Sequence, residues 1–166
     1  MNRTIIKLFF YLCILTALPS YAQNAVHYYF KTMDIRNGLS QNTVYQILQD
    51  RKGFMWFGTK DGLNRYDGLS YRVYKKENSG LGKNFITALY EDHEGNIWIG
   101  TDGGVFIYNP VLDSFTAFNQ TSDKGTVIKD FVTMIGSDEY DNIWICFATT
   151  MRKGYGIICM IRACPM

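Results

Sequence analysis

The sequence predicts an all-β fold, a partial β-propeller with two four-stranded antiparallel blades and an incomplete third, preceded by a signal peptide. The prediction starts from one recurring phrase. Asp50–Thr59 reads D-R-K-G-F-M-W-F-G-T, and Asp92–Thr101 reads D-H-E-G-N-I-W-I-G-T. Trp56, Trp98 and Trp144 hold the same place in the phrase and lie 42 and then 46 residues apart. A repeat in the forties with one aromatic residue per unit is typical of four-stranded propeller blades.

Each repeat reads as four short strands separated by turn residues. In the first unit, 38–79, the strand-like runs are Val44–Leu48, Phe54–Gly58, Leu63–Tyr66 and Tyr71–Tyr74. In the second unit, 80–124, they are Phe85–Tyr90, Asn96–Gly100, Val105–Tyr108 and Phe115–Phe118. Short strands with turn signals at regular intervals predict antiparallel blades.

The turn before each tryptophan strand has its own chemistry. An aspartate at its first position can accept backbone N–H groups, and a glycine at its fourth can adopt the left-handed conformation of a tight hairpin. We therefore expect a structural role for the repeated residues rather than a catalytic one. They are Asp50, Gly53, Trp56, Gly58, Asp92, Gly95, Trp98, Gly100, Asp138 and Trp144.

The tryptophan strand is apolar on both of its faces, as Phe54–Phe57 shows. A strand that is hydrophobic on both sides is sandwiched between two layers. The tryptophan is therefore interpreted most simply as a core wedge between neighbouring blades. A stacking platform for sugar rings is the alternative interpretation.

The N-terminus reads as a targeting signal over residues 1–22. A basic start with Arg3 and Lys7 precedes the apolar run Leu8–Leu18, and a break with a small residue follows, which predicts cleavage after Ala22. The alternative is an uncleaved membrane anchor, but 11 apolar residues are fewer than the roughly 20 of a spanning helix. The mature chain is therefore expected in the periplasm, without a membrane span. Residues 23–37 include the strand-like run Val26–Lys31, which would close the last blade of a full propeller.

The third unit begins at residue 125 and follows the pattern only to Ile145. From Cys146 to Met166 the sequence departs from it, and three of the four cysteines, Cys146, Cys159 and Cys164, crowd this tail. An odd set in an exported protein is expected to pair between chains or to leave a reactive thiol. The spacing fits no zinc site. We interpret residues 146–166 as an aberrant tail that was not selected to fold.

Three phrases carry a resemblance to a known family. Residues 37–50 (N-G-L-S-Q-N-T-V-Y-Q-I-L-Q-D), 53–68 (G-F-M-W-F-G-T-K-D-G-L-N-R-Y-D-G) and 95–110 (G-N-I-W-I-G-T-D-G-G-V-F-I-Y-N-P) resemble the two-component regulator propeller repeat. That repeat occurs in the periplasmic sensor regions of hybrid histidine kinases of Bacteroidetes. The resemblance implies double propellers that sense oligosaccharides and control polysaccharide-utilisation genes through kinase, receiver and DNA-binding domains.

This chain resembles only the first part of that domain arrangement, over about residues 26–145. It shows no phosphoacceptor histidine context, no nucleotide-binding glycines and no receiver aspartate pocket. We therefore expect a non-catalytic fragment of a sensor that does not signal alone. A frameshift or premature truncation near residue 146 is our hypothesis for the lost pattern. Further tryptophan repeats in another reading frame of the downstream DNA would support it, and their absence there would defeat it.

The composition offers little catalytic chemistry. The two histidines, His27 and His93, do not recur with the repeat, and no catalytic triad, acid pair or metal-ligand cluster stands out. We therefore predict no catalytic residues, no metal and no cofactor. A net charge of +2, evenly scattered, does not suggest nucleic-acid binding.

Ligand binding is expected on one face, where the start of each innermost strand meets the turn between the second and third strands. Amide and charged groups there are suited to binding sugar hydroxyls. The alternative interpretation is that these residues are solvated loop tips without a binding role. The candidates are Gln41, Asn42, Lys60, Asp61, Lys83, Asn84 and Asp102.

Three functions remain open from the sequence. The first is the sensor module, with an oligosaccharide as ligand of the full-length protein. The second is an exported propeller enzyme such as a polysaccharide lyase or glycosidase, and the third is a repeat scaffold that assembles with other chains. Because too few blades are present to close a ring of about four to eight, uncovered blade faces predict self-association or poor solubility.

Overall fold

The computed structural model of the chain describes residues 28–119, 130–151 and 154–159, together with the single positions 3 and 7. The cleavage point after Ala22, the rest of the predicted signal peptide and residues 120–129 lie outside the described residues. Contacts divide the chain into residues 1–32 and 33–166. Within the described part, no helix has the length and apolar character needed to cross a membrane.

The described strands form three antiparallel sheets, which confirms the all-β prediction. The first contains β1 (Val44–Gln49), β2 (Met55–Thr59), β3 (Gly62–Tyr66) and β4 (Tyr71–Tyr74), in that order. The second contains β5 (Ile86–Glu91), β6 (Ile97–Thr101), β7 (Gly104–Asn109) and β8 (Ser114–Ala117), also in chain order. The third contains β9 (Phe131–Ser137), β10 (Ile143–Met151) and β11 (Gly154–Cys159), with β10 in the centre.

The register is the same in the two complete sheets. Val44 opposes Thr59 and Ile86 opposes Thr101, and each first strand has an irregularity directly after that residue. The innermost strands β1, β5 and β9 pack against one another in sequence. The second sheet therefore presents one face to the first sheet, which we call the leading face, and the other to the third sheet, which we call the trailing face. The equivalent faces of the other two sheets carry the same names.

The segment before β1 differs from the strand expected there. Residues 28–34 form no strand, and Ile35–Asn37 is a 3-10 helix capped by Asp34, whose carboxylate accepts the backbone N–H of Arg36 at 2.8 Å. A closing strand needs the edge of a last blade to pair with, and the three sheets described here already follow one another. The proposed closing role of residues 23–37 stays a prediction.

The third sheet extends beyond the boundary predicted at Ile145, into the residues interpreted as an aberrant tail. β10 continues through residue 151 and pairs with β11, so the predicted boundary after Ile145 falls inside a strand. Cys146 and Phe147 are buried, and Cys146 is disulfide-bonded. An apolar run can extend a strand without the Gly-Thr of the other repeats, because strand formation depends on side chains that fit a buried pleated surface.

Two hydrophobic clusters join the three sheets. The first holds Trp56, which is 1% exposed, between the first and second sheets, and the second holds Trp98, 6% exposed, between the second and third. Trp144, at the equivalent place in the third sheet, is 40% exposed. The structure thus places the first two tryptophans as buried wedges between sheets.

A glycine on the trailing face of the first sheet and of the second makes room for the next sheet. A Cβ atom built at Gly58 would lie 2.7 Å from Cγ2 of Ile86, and one at Gly100 would lie 2.6 Å from Cγ1 of Val132. Ile86 and Val132 occupy the same position on the innermost strands of the second and third sheets. The sheets therefore approach so closely that any larger residue at these glycines would collide with a β-branched side chain.

Candidate functional site

The aspartate of each hairpin bonds to the tryptophan that follows it. Oδ1 of Asp50 accepts the backbone N–H groups of Lys52 and Phe54 at 3.0 and 2.9 Å, and Oδ2 accepts the indole N–H of Trp56 at 2.8 Å. Asp92 repeats this with Glu94, Asn96 and Trp98, and Asp138 with Tyr140, Asn142 and Trp144. These carboxylates are engaged by the hydrogen bonds of their hairpins.

The fourth turn position adopts the left-handed conformation in all three repeats. The φ angle is 87° at Gly53 and 84° at Gly95, and the third repeat places Asp141 there with φ 61°. Aspartate is one of the few non-glycine residues that tolerate this region. The third hairpin therefore keeps the geometry of the other two although it has lost the glycine.

The opposite edge of the sheets contains the threonine of each repeat, and we call it the upper edge. Oγ1 of Thr59 donates to the carbonyl of Gly62 at 2.9 Å, and Oγ1 of Thr101 donates to that of Gly104 at 2.7 Å. These bonds close the β2–β3 and β6–β7 turns. The upper edge also holds the starts of β1 and β5, so it is the face on which the sequence places the seven ligand-binding candidates.

Two of the candidates are tied into contacts at the junction of the first two sheets. The carbonyl of Asn84 accepts the N–H of Gly62 at 2.8 Å, and its amide oxygen accepts the N–H of Lys76 at 2.7 Å. Asp61 accepts a hydrogen bond from Lys75 Nζ at 2.6 Å. The structure brings Asp61 and Asn84 to one junction, where their side chains already serve the fold.

The other five candidates differ in how far the fold uses them. Asn42 accepts the N–H of Ile35 at 3.0 Å, while the buried amide oxygen of Gln41 meets no donor in the described part of the chain. Lys60, Lys83 and Asp102 are exposed, and their side chains make no hydrogen bond with the described residues. Lys83 and Asp102 lie at one turn, because the stem of Lys83 covers Gly103.

A groove of about 410 Å³ opens at the other edge, which we call the lower edge, between the first and second sheets. Its walls come from the β1–β2 hairpin, the β5–β6 hairpin and the β7–β8 turn. The lining residues are Asp50, Arg51, Lys52, Phe54, Trp56, Arg65, Glu91, Glu94, Gly95, Ile97, Tyr108, Pro110 and Val111. The groove thus combines aromatic side chains with charges of both signs.

Arg51 joins the two hairpins at the groove. Its guanidinium donates to the carbonyls of Asp92 and His93 at 2.8 and 2.5 Å, and its backbone N–H donates to the carboxylate of Glu91 at 3.0 Å. Arg51 therefore holds the lower edge of the second sheet against the first. Lys52 and Glu94 are exposed beside it.

Arg65 and Tyr108 form the inner end of the groove. The guanidinium of Arg65 lies 4.7 Å from the ring centroid of Phe54, a cation–π contact, and donates to the Tyr108 hydroxyl at 3.0 Å. That hydroxyl donates to Asp113 at 2.7 Å. Burial, followed by the hydrogen bond to Asp113, raises the pKa of Tyr108, and the same hydroxyl lowers the pKa of Asp113.

Sequence reasoning missed this groove. The repeat alignment places Arg65 opposite Ile107 of the second unit, so Arg65 does not recur and the pattern gave it no weight. A non-recurring arginine on strand β3 was the available signal. Its significance depends on Tyr108, which is 43 residues away in the chain.

Comparisons with known proteins place the repeats in a family. The family described as "Two component regulator propeller" matches residues 38–61 and 80–103. The chain carries repeats of the two component regulator propeller family. The two matched segments cover the β1–β2 and β5–β6 hairpins with their aspartate–tryptophan pairs.

Two solved structures from B. thetaiotaomicron share the fold. One is described as the extracellular domain of the hybrid two component system BT3049, with 31% identity and a TM-score of 0.64 over 78% of this chain and 18% of that one. The other is described as the extracellular domain of the one component system BT4673, with 28% identity and a TM-score of 0.63 over 76% of this chain and 18% of that one. This chain therefore corresponds to part of such an extracellular region.

A curated relative adds the link to signalling proteins. "Histidine kinase P4" of Formosa agariphila is 42% identical over 59 residues, which are 36% of this chain and 4% of that protein. The chain spans 18% of the length of the two solved relatives and 4% of the curated one.

Proposed function

We propose that the chain serves as a non-catalytic ligand-binding section of a periplasmic sensor of the hybrid two-component type, and that its ligand is an oligosaccharide. The observation that carries the proposal is the match over 78% of the chain to an extracellular domain described as part of a hybrid two component system. The resemblance set out above implies oligosaccharide sensing for such regions. Control of polysaccharide-utilisation genes then falls to the kinase and DNA-binding parts of the full plan.

The upper edge supplies one candidate binding surface. Lys60, Lys83 and Asp102 expose charged groups that the fold does not use, and the buried amide oxygen of Gln41 is a further acceptor. Polar groups at loop tips on a rigid scaffold are a common source of binding sites. Asp61, Asn42 and Asn84 support this surface by fixing the loops that carry it.

The lower-edge groove is a second candidate surface, because it has the volume of a small-ligand site. Its 410 Å³ falls within the roughly 300–1,000 Å³ usual for ligand pockets. Lys52 and Glu94 offer charges at its rim, and Phe54 and Tyr108 offer apolar surface. An oligosaccharide would use the same two kinds of contact.

Binding measurements can separate the two surfaces. Oligosaccharides from plant and host polysaccharides are titrated into the purified protein by calorimetry, beside a K83A/D102A variant of the upper edge and a K52A/E94A variant of the groove. We expect one variant to lose at least tenfold in affinity and the other to bind as the parent does. Absence of binding to every oligosaccharide would contradict the ligand assignment, and turnover of any of them would contradict the non-catalytic role.

Phosphorylation provides an independent test of the signalling part. We expect no incorporation of phosphate from ATP by this chain, because its role is to bind rather than to signal. Phosphate transfer to either His27 or His93 would contradict the proposal.

A further inference from the structure

Arg65 occupies a place in the first sheet that an apolar residue fills in the second. It opposes Trp56 across β2 and β3, and Ile107 opposes Trp98 in the same register of the second sheet. Ile107 packs against the cluster that joins the second and third sheets. Arg65 is half-buried, and a charge in such a place costs free energy unless it is paired. Packing alone therefore does not account for an arginine at this position.

Phe54 departs from the repeat beside Arg65 and orients its guanidinium. The corresponding residues, four places after the hairpin aspartate, are Asn96 and Asn142, whose amides bond to that aspartate. The guanidinium carbon of Arg65 instead lies 4.7 Å from the ring centroid of Phe54 and 5.8 Å from that of Trp56. Aromatic faces of this kind hold a guanidinium in place. Phe54 and Arg65, which the second sheet lacks, therefore form one unit, and both line the lower-edge groove.

The charge of Arg65 has no acidic partner in the described part of the chain. Its Nη1 donates to the Tyr108 hydroxyl at 3.0 Å, and its other N–H groups make no hydrogen bond with the described residues. Asp113 accepts from the same hydroxyl at 2.7 Å, but its ion pair is with Arg72, at 2.6 Å. Because a guanidinium carries five N–H donors in a fixed fork, most of the donors of Arg65 remain available to a ligand.

The acidic residues of the groove are engaged elsewhere. Glu91 accepts the backbone N–H of Arg51 at 3.0 Å and lies 4.0 Å from its Nε, and Asp50 is bonded within its own hairpin. Glu94 is half-exposed at the rim. The lining contains three basic and three acidic residues, so the groove as a whole favours neither sign of charge. A preference for anions is therefore confined to the surroundings of Arg65.

We propose that Arg65 binds the carboxylate of an acidic sugar, so that the oligosaccharide ligand contains a uronic acid. This inference rests on the ligand-binding role proposed above and places the ligand in the lower-edge groove. The planar fork of a guanidinium matches the two oxygens of a carboxylate, and such paired bonds are among the strongest that side chains make. Phe54 and Tyr108 hold the fork, and the groove leaves space for the sugar ring. Binding gives the half-buried cation a counter-ion.

Three methyl glucosides that differ only at C6 test the choice of anion. They are methyl glucuronide with a carboxylate, methyl glucoside with a primary alcohol, and methyl glucoside 6-sulfate with a sulfate ester. Each is titrated into the nitrogen-15-labelled full chain, and the Arg65 Nε–H signal is followed by NMR. We expect the glucuronide to shift this signal saturably and to bind at least tenfold more tightly than the other two. Equal binding of the neutral sugar or of the sulfate ester would overturn the proposal.

Substitutions of Arg65 test the residue itself. R65I introduces the residue of the second sheet, and R65K keeps the positive charge but loses the planar fork. The control is K83A, which removes an exposed charge at the upper edge. We expect R65I to lose detectable glucuronide binding, R65K to bind at least tenfold more weakly than the parent, and K83A to bind as the parent does. Circular dichroism confirms that each variant is folded. Parent-like binding by R65I or R65K would contradict the assignment.

Oligosaccharides separate this inference from the ligand-binding role on which it rests. Uronic-acid oligosaccharides are compared by calorimetry with the same compounds after reduction of their carboxyl groups to alcohols. We expect reduction to weaken binding to the parent at least tenfold and to make no difference to R65I. A neutral oligosaccharide that binds the parent and R65I equally, when no acidic one is preferred, would preserve the sensor role and overturn the acidic-sugar assignment. Absence of binding to every oligosaccharide would contradict both.

Discussion

Trp56 donates its indole N–H to Oδ2 of Asp50 at 2.8 Å, inside the junction of two sheets. The same carboxylate closes the β1–β2 hairpin through its other oxygen. One aspartate thus couples the shape of a turn to the position of a wedge in the core. The same hydrogen bond recurs between Asp92 and Trp98, again at 2.8 Å, so this aspartate–tryptophan pair is a repeated structural element.

Replacing Asp50 by Asn tests that coupling. The amide oxygen can still accept from the hairpin, but its NH₂ group faces the indole N–H, which loses its acceptor in a buried place. A hydrogen bond to a charged group contributes about 1.5–3 kcal/mol, and we expect D50N to lose free energy of unfolding of this order in urea titrations.

D138N is the matched comparison for this substitution. It makes the same change beside Trp144, which is 40% exposed, so water can replace the lost acceptor. A smaller loss is expected for D138N than for D50N. Equal losses in the two variants would show that burial of the indole does not matter.

Gly58 and Gly100, against which the next sheet packs, provide a second prediction. Alanine at Gly58 or Gly100 would place a methyl group 2.7 or 2.6 Å from a β-branched side chain of the next sheet. Overpacking of this kind costs about 1–3 kcal/mol, which thermal unfolding would register as a lowered midpoint.

Gly136 serves as the control for these substitutions. It lies in β9, and a Cβ there would meet no atom within 4 Å. We expect G136A to be neutral or to stabilise by up to about 1 kcal/mol through the unfolded chain. If G58A were as well tolerated as G136A, the close approach of the sheets would be wrong.

The repeat made the blades predictable from the sequence. Strand bounds in the first two sheets differ from the predicted ones by a residue or so, because a turn aspartate and a turn glycine mark the ends of β1, β2, β5 and β6. The placement of Lys83 and Asp102 at one turn also followed from topology. A four-stranded antiparallel sheet fixes which ends share an edge, and this can be worked out without side chains.

Features that depend on a single unit were not predictable in this way. The groove needs Arg65 and Tyr108, which come from different repeats, and Arg65 does not recur. β11 was missed because Gly154–Cys159 carries none of the repeat's signals, although its backbone pairs with β10. Periodicity in the sequence reveals the residues that recur, but it does not reveal individual contacts between residues of different repeats.

The hairpin of the third sheet gives a pH prediction. The Asn142 side chain, with the backbone N–H of Asn142 and the Trp144 indole, lowers the pKa of Asp138 from 3.8 to about 2. A carboxyl with a lowered pKa in the folded state stabilises the protein above its ordinary pKa, and the contribution is lost as the pH falls through the folded value. We expect the difference in melting temperature between the parent and D138N to disappear between these two pH values.

Carbon-13 titration of the carboxyl groups measures the same effect directly. The Asp138 signal should move at about pH 2. A midpoint at the ordinary value of 3.8 would contradict the hydrogen-bonded geometry of this hairpin.

Arg51 provides a test of the contact between the two lower-edge hairpins. R51A removes the two bonds to the carbonyls of Asp92 and His93 and leaves the backbone bond to Glu91 in place. At about 0.5–1.5 kcal/mol for each bond, reduced by the exposure of the side chain, we expect a loss of about 1 kcal/mol and faster amide exchange in the Asp92–Gly95 turn. K52A, at the next position, should stay within about 0.5 kcal/mol of the parent. Identical amide-exchange rates in R51A and K52A would contradict the role of Arg51 in joining the two hairpins.

The disulfide of Cys146 gives the last prediction, because the backbone register places position 159 directly opposite it. Cys146 lies directly opposite Cys159 across β10 and β11, and opposed residues of antiparallel strands have Cα atoms about 4.5–5.5 Å apart, within the range that a disulfide spans. Peptide mapping without reduction should therefore recover a 146–159 link within one chain. Reduction should lower the melting temperature of the parent and leave a C146S variant unchanged. A link to Cys164 or to a second chain would contradict the pairing of β10 with β11.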